Sequence, residues 1–160
     1  MDVLWLLRRV VESFHAGTPG VGLPLGNLTS QLLVNVYMNE FDQFAKHRLK
    51  AKHYIRYADD FIVLHQDQGV LLEMCAKMGD FLQEELCLDL HPRKVSVTTL
   101  ARGVDFLGWV HWIDHRVLRS ATRHRMMRRL SEATSNATKA SYQGMLSHGN
   151  ARKLSRRVFM

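Results

Sequence analysis

Two cysteines in a chain of 160 residues are too few for a disulfide framework. Cys75 and Cys87 fall in one predicted helical stretch and lack Cys-x-x-Cys spacing, so reduced thiols in a cytoplasmic setting fit best. The chain has no apolar run long enough to span a bilayer, and its start carries no secretory pattern, so no membrane partner is expected. The stretch LWLLRRVVESF is interrupted by Arg8, Arg9 and Glu12 and reads as an amphipathic helix of a globular protein. None of the nine histidines forms His-x-His or His-Glu-x-x-His, which leaves them as surface or core imidazoles. There is no internal repeat and no low-complexity tract. Acidic residues are scarce at one end. Residues 1 to 100 hold 10 Lys/Arg against 12 Asp/Glu, net −2, whereas residues 101 to 160 hold 12 against 3, net +9. A near-neutral body with a strongly basic end points to a polyanion partner, with a solvated basic surface as the plainer alternative.

What is present is enough apolar material for a core, at 46 % hydrophobic residues. Residues 2 to 15 are predicted helical, and residues 15 to 27, with four Gly and two Pro, form a loop. A long helix follows, with Thr29 and Ser30 as possible N-caps and an apolar face of Leu32, Leu33, Val36, Tyr37, Phe41 and Phe44. KHYIRY and FIVLH are predicted as a hairpin joined at ADD. A helix from about Gly69 turns Leu71, Cys75, Met78 and Leu82 to one side. The alternation of Val95, Val97 and Thr99 predicts a strand, and GVDFLGWVHW a strand pair broken at Gly108. From about Arg119 the chain is polar and basic, with two or three helices and breaks near Gly144 and Gly149.

The adjacent carboxylates Asp59 and Asp60 occupy the predicted hairpin tip. Turn propensity accounts for one Asp, but Asn-Gly or Asp-Gly serves a tight turn better. A general acid and base pair needs its carboxyl groups across a substrate, and neighbours at a tight turn sit too close. Divalent-metal binding fits best. Mg²⁺ takes one or two protein carboxylates together with substrate phosphates, and a cation offsets the repulsion of the pair. Neighbouring strand residues face opposite ways, so Asp59 is expected as the firm ligand and Asp60 as the weaker or outer one.

Tyr57-Ala58-Asp59-Asp60 between two strands resembles the catalytic box of reverse transcriptases. Three further stretches resemble that family's boxes in the same order: GLPLGNLTSQLLVNVYMNEFD at 22 to 42, LDLHPRKV at 88 to 95, and GVDFLGW at 103 to 109, the last similar to the primer-grip hairpin. The basic tail sits where the family places its thumb. The resemblance implies an α+β fold: a polymerase palm fragment, its antiparallel sheet carrying the YADD hairpin backed by helices, over residues 1 to 118, then a basic helical thumb-like segment over 119 to 160. Within the bacterial enzymes, group II intron types usually show Gln at the position of Leu25 and Ser-Pro at Ser30-Gln31. LPLGNLTSQ with GVDFLGW is more similar to the enzymes of diversity-generating retroelements and their unassigned relatives; the diversity-generating type would imply a small basic accessory protein and error-prone copying at adenines.

The resemblance implies RNA-directed DNA synthesis by two-metal catalysis with Mg²⁺ or Mn²⁺, dNTPs, an RNA template and a DNA primer. Asp59 and Asp60 would hold the metals. Lys94 would approach the triphosphate and protonate departing pyrophosphate, or be a solvated lysine after a Pro turn. Pro24, Leu25, Gly26 and Asn27 would line the incoming nucleotide and templating base. Ser30 and Gln31 would contact template or cap a helix. Tyr57 would pack near the primer terminus, and Phe106, Leu107 and Gly108 would hold the primer, with plain core as the alternative for Phe106 and Leu107. Arg123, Arg125, Arg128 and Arg129, on two sides of a helix, suit phosphate contacts. The family's other catalytic Asp, from a strand before the Gly-Pro loop, has no counterpart here except Asp2, which precedes a helix; Asp42 and Asp67 are out of place for it. The expectation is therefore a fragment, inactive alone. The rivals are a non-catalytic nucleic-acid-binding module of palm shape and an RNA-templated RNA polymerase.

Overall fold

The computed structural model describes residues 2–13, 22, 28–132 and 135–159. It is mixed in class, with helices and two small antiparallel sheets, in two compact units, Met1–Val95 and Ser96–Met160. The change in composition near residue 118 falls inside the second unit.

In the first unit, α1 (Val3–Glu12) is capped by Asp2, whose carboxylate accepts from the Leu4 amide at 3.2 Å. The helix buries no residue. The expected single helix after residue 28 is three pieces: α2 (Leu28–Tyr37), α3 (Asn39–Gln43) and a π-helical turn (Phe44–Arg48). The break at Met38 rotates the buried face. Leu32, Val36 and Tyr37 are exposed, while Met38, Phe41 and Ala45 enter the core. Thr29 and Ser30 lie inside the first turn of α2 and so are not its N-caps, and Ser30 is buried. Strands β1 (His53–Tyr57) and β2 (Asp60–Leu64) pair antiparallel, Tyr54 opposite Val63 and Tyr57 opposite Asp60. Helix α4 (Gln68–Leu86) starts at Asp67, whose side chain accepts from the Gly69 and Val70 amides, and buries Met78, Leu82 and Leu86.

Period-2 alternation sorts the hairpin. Tyr54, Phe61 and Val63 pack on the Met38–Phe41–Met78–Leu82 core, whereas Ile55 and Tyr57 are exposed. Fully buried Phe41 meets the Phe61 ring at 4.9 Å, and Phe44 stacks on Phe81 at 4.1 Å. The strand expected from Val95 to Thr99 is absent. Those residues are irregular and exposed, and alternation without a partner strand makes no ladder.

In the second unit, β3 (Val104–Phe106), β4 (Trp109–His111) and β5 (Arg116–Leu118) form a meander. The break at Gly108 is a two-residue turn with φ of 52° at Leu107 and 81° at Gly108. Three helices follow: α5 (Ser120–Ser131), α6 (Asn136–Ser147) and α7 (Arg152–Phe159). Trp109, Leu118, Met126, Leu146 and Ala151 form the core. Gly144 lies within α6 and breaks nothing. Gly149 does sit between helices, where a Cβ would come within 2.1 Å of the Trp109 ring.

Candidate active site

The β1–β2 loop is Ala58–Asp59, two residues long, so Asp60 is already the first residue of β2. Two-residue hairpins demand a primed turn with φ above zero at the first loop residue. Ala58 meets this with a φ of 53°, a conformation that disfavours a side chain by about 1–2 kcal/mol. Asp59, Asp60 and Tyr57 are all exposed, and Tyr57 faces Asp60 across the pair. The tip therefore offers two carboxylates and a phenol ring to solvent.

Behind the tip lies a polar network that sequence reasoning missed. Arg56, on the inner face of β1, grips Asp42 of α3 with two parallel bonds: Nε to Oδ1 at 2.8 Å and Nη2 to Oδ2 at 2.7 Å. Its Nη1 donates to the Ala58 carbonyl at 2.7 Å and to Oδ1 of Asn35 at 3.1 Å. The Tyr54 hydroxyl donates to Asp42 Oδ1 at 2.6 Å. The Arg56 and Asp42 side chains are only 9 % and 24 % exposed, so this ion pair is poorly screened. The Arg56 hydrogen bond holds the Asp42 carboxyl below its ordinary pKa, against burial, with help from Tyr54. Burial first, then the Asp42 bond, raises the Tyr54 phenol. The Asp42 bond raises Arg56 likewise. Asp42, out of place as a catalytic carboxylate, is the anchor of the hairpin's inner face. The available signal was strand register: Arg56 shares a face with Tyr54, and an inward-facing charge needs a partner.

The other anticipated residues are spread along the chain. Pro24, Leu25, Gly26 and Asn27 lie outside the described residues. Gln31 is exposed in the first turn of α2. Lys94 is exposed in a turn, its amide donating to the His91 carbonyl at 2.9 Å. Phe106 is half-buried, Leu107 exposed, and Gly108 backed by Thr122, whose Oγ1 lies 3.2 Å from where a Cβ would stand. These three belong to the second unit, as do Arg123, Arg125, Arg128 and Arg129, all exposed on α5. Among the described residues no three His, Cys, Asp or Glu side chains gather to hold a metal ion. The donor set of Asp59 and Asp60 fits a partial Mg²⁺ site completed by water and phosphate oxygens, not an all-protein cage. Among the described residues no helix is long and apolar enough to cross a membrane.

Residues 11–111 match the family model described as reverse transcriptase (RNA-dependent DNA polymerase). Protein YkfC of Escherichia coli (strain K12) is 28 % identical over 167 aligned positions, covering 82 % of this chain and 42 % of YkfC. The chain thus spans less than half the length of that curated relative. A family match over more than half of its residues, bracketing the carboxylate hairpin, places the chain in the reverse transcriptase (RNA-dependent DNA polymerase) family.

Proposed function

We propose that this chain supplies the metal-bearing carboxylates and part of the nucleic-acid grip of an RNA-directed DNA polymerase. The observation that carries the reading is the exposed Asp59–Asp60 pair at a tight hairpin tip, inside the family match. Mg²⁺ or Mn²⁺ held there would lower the pKa of a primer 3′-hydroxyl and offset the negative charge of the triphosphate and departing pyrophosphate. Asp59 is assigned as the firm ligand and Asp60 as the supporting one. Tyr57, beside Asp60, packs near the primer terminus. Lys94 draws the triphosphate and protonates the leaving pyrophosphate. Pro24, Leu25, Gly26, Asn27 and Gln31 line nucleotide and template, with buried Ser30 behind them, and Phe106, Leu107 and Gly108 hold the primer. Residues to about 118 act as palm elements and α5–α7 as the thumb, with Arg123, Arg125, Arg128 and Arg129 on backbone phosphates. The source type is a bacterial retroelement enzyme, group II intron-like or of the kind found in diversity-generating retroelements and their relatives, the latter bringing a small basic protein as further partner.

Among the described residues no third His, Cys, Asp or Glu joins Asp59 and Asp60, and two carboxylates fall short of the donor set that two-metal chemistry uses, so the 160 residues by themselves are expected not to extend a primer. The same shortage favours a second reading, a non-catalytic module that binds primer–template. Fluorescence anisotropy with an RNA–DNA primer–template separates them. The chain should bind with steep salt dependence, and Mg²⁺ with the complementary dNTP should strengthen binding only while Asp59 is intact. An increment equally large in Asp59→Ala overturns the catalytic assignment. Binding with no Mg²⁺ or dNTP increment leaves the non-catalytic module. Salt-insensitive binding, or none, removes both.

A further inference from the structure

We propose that Arg56 is a positioning residue for the carboxylate tip, fixing the peptide that leads into Asp59 against the helical layer of its own unit. The inference rests on the metal-bearing role of Asp59 and Asp60. Peptide groups are planar, so the Ala58 carbonyl and the Asp59 amide belong to one rigid plate. Arg56 Nη1 holds the oxygen of that plate at 2.7 Å. Three of the guanidinium's other four N–H groups bond to both oxygens of Asp42 and to Asn35. A planar fork bonded along two edges cannot rotate without breaking several bonds together. The plate therefore inherits the position of α3, which carries Asp42, and of α2, which carries Asn35.

The turn requires such a tether. Ala58 sits at a φ of 53° without glycine's freedom, and a conformation of that kind persists only where its surroundings enforce it. Asp59 and Asp60 are exposed, so contacts of their own side chains do little to orient them. Lysine cannot replace the arginine here. A single ammonium cannot span both Asp42 oxygens and the Ala58 carbonyl in one plane. Tyr54 provides the control, because its hydroxyl braces Asp42 but does not touch the turn.

The test is backbone ¹⁵N relaxation of the 160-residue chain, with Mn²⁺-induced broadening at Asp59 and Asp60 as a second readout. The wild-type Asp59 amide should show an order parameter of about 0.85, and Arg56→Lys should drop it below about 0.6 with circular dichroism unchanged. Arg56→Lys should also weaken Mn²⁺ binding about tenfold or more, the usual scale for losing a group that orients a metal ligand. Tyr54→Phe should lower stability while leaving both readouts as they are. The assignment is overturned if the Asp59 amide is already mobile in the wild type, if Arg56→Lys changes neither readout, or if Tyr54→Phe changes them as much. Wild-type chain that binds no Mn²⁺ sinks the metal reading instead, and the order parameters then judge Arg56 alone.

Discussion

The chain builds two tight hairpin turns, Ala58–Asp59 in the first unit and Leu107–Gly108 in the second, and holds them by different means. At the second turn Leu107 takes nearly the same left-handed φ as Ala58, 52° against 53°; Gly108 supplies a further positive φ of 81°, the Arg119 amide donates to the Gly108 carbonyl at 3.0 Å, and Thr122 backs the turn. Backbone and packing suffice, and no acid lies in the loop. At the first turn Ala58 takes that φ with no glycine after it, and Arg56, its side chain only 9 % exposed, holds the Ala58 carbonyl beside two exposed carboxylates. Both turns start on a non-glycine residue at positive φ; the second adds a glycine and main-chain support, whereas the first is held from behind by a side chain. The surrounding charge differs too. The first unit balances its signs, while Arg123, Arg125, Arg128 and Arg129 crowd the helix after the second turn.

The comparison can be broken first at the cores. Phe41→Ala should cost about 3–5 kcal/mol and Met126→Ala about 2–5 kcal/mol in urea unfolding, since each is fully buried in its own cluster. A loss below about 1 kcal/mol for either would show that cluster to be loosely packed.

Next comes the arginine tether. Asp42→Asn should cost about 1–3 kcal/mol at neutral pH, because it leaves Arg56 short of its charged partner. The folded carboxyl titrates below its unfolded value. Its stabilisation is therefore fully present above the unfolded pKa of about 3.9 and fades as pH falls through the lower folded pKa. Denaturation followed from pH 6 down to pH 2 should show the wild type losing more stability than Asp42→Asn, the two curves converging at the acid end. Parallel curves would remove the ion pair from the account.

A smaller effect separates the turns directly. Gly108→Ala should destabilise by about 1–2 kcal/mol, from the positive φ and the approach to Thr122. Ala58→Gly should change thermal stability by less than about 1 kcal/mol, since relief of strain and added chain entropy oppose each other. The smallest expected changes lie on α5. Arg125→Ala and Arg128→Ala should each reduce the salt slope of primer–template binding by about 1, uniformly across sequences.

The hairpin was legible because alternation and a carboxylate tip survive any packing. Helix α4 was legible because Leu71, Cys75, Met78 and Leu82 repeat at helical spacing, although its cap, Asp67, was not read as one. The apolar face of α2 was misassigned, since the break at Met38 re-aims the residues after it and no local residue announces the break. Strand β5 is three residues long and gains its ladder only from β4, so it carries almost no pattern of its own. The carboxylate pair was visible in the sequence. Its support was not, because Arg56 and Asp42 stand 14 positions apart and meet only when α3 packs under the hairpin.

The most direct test of the central claim, that the paired acids at the tip bind divalent cations, is Mn²⁺ titration followed by electron paramagnetic resonance. The wild-type chain should take up Mn²⁺, more firmly with a dNTP present. Asp59→Asn should lose most of that uptake, and Asp60→Asn less. Equal uptake by wild type and Asp59→Asn, or none by either, would contradict it.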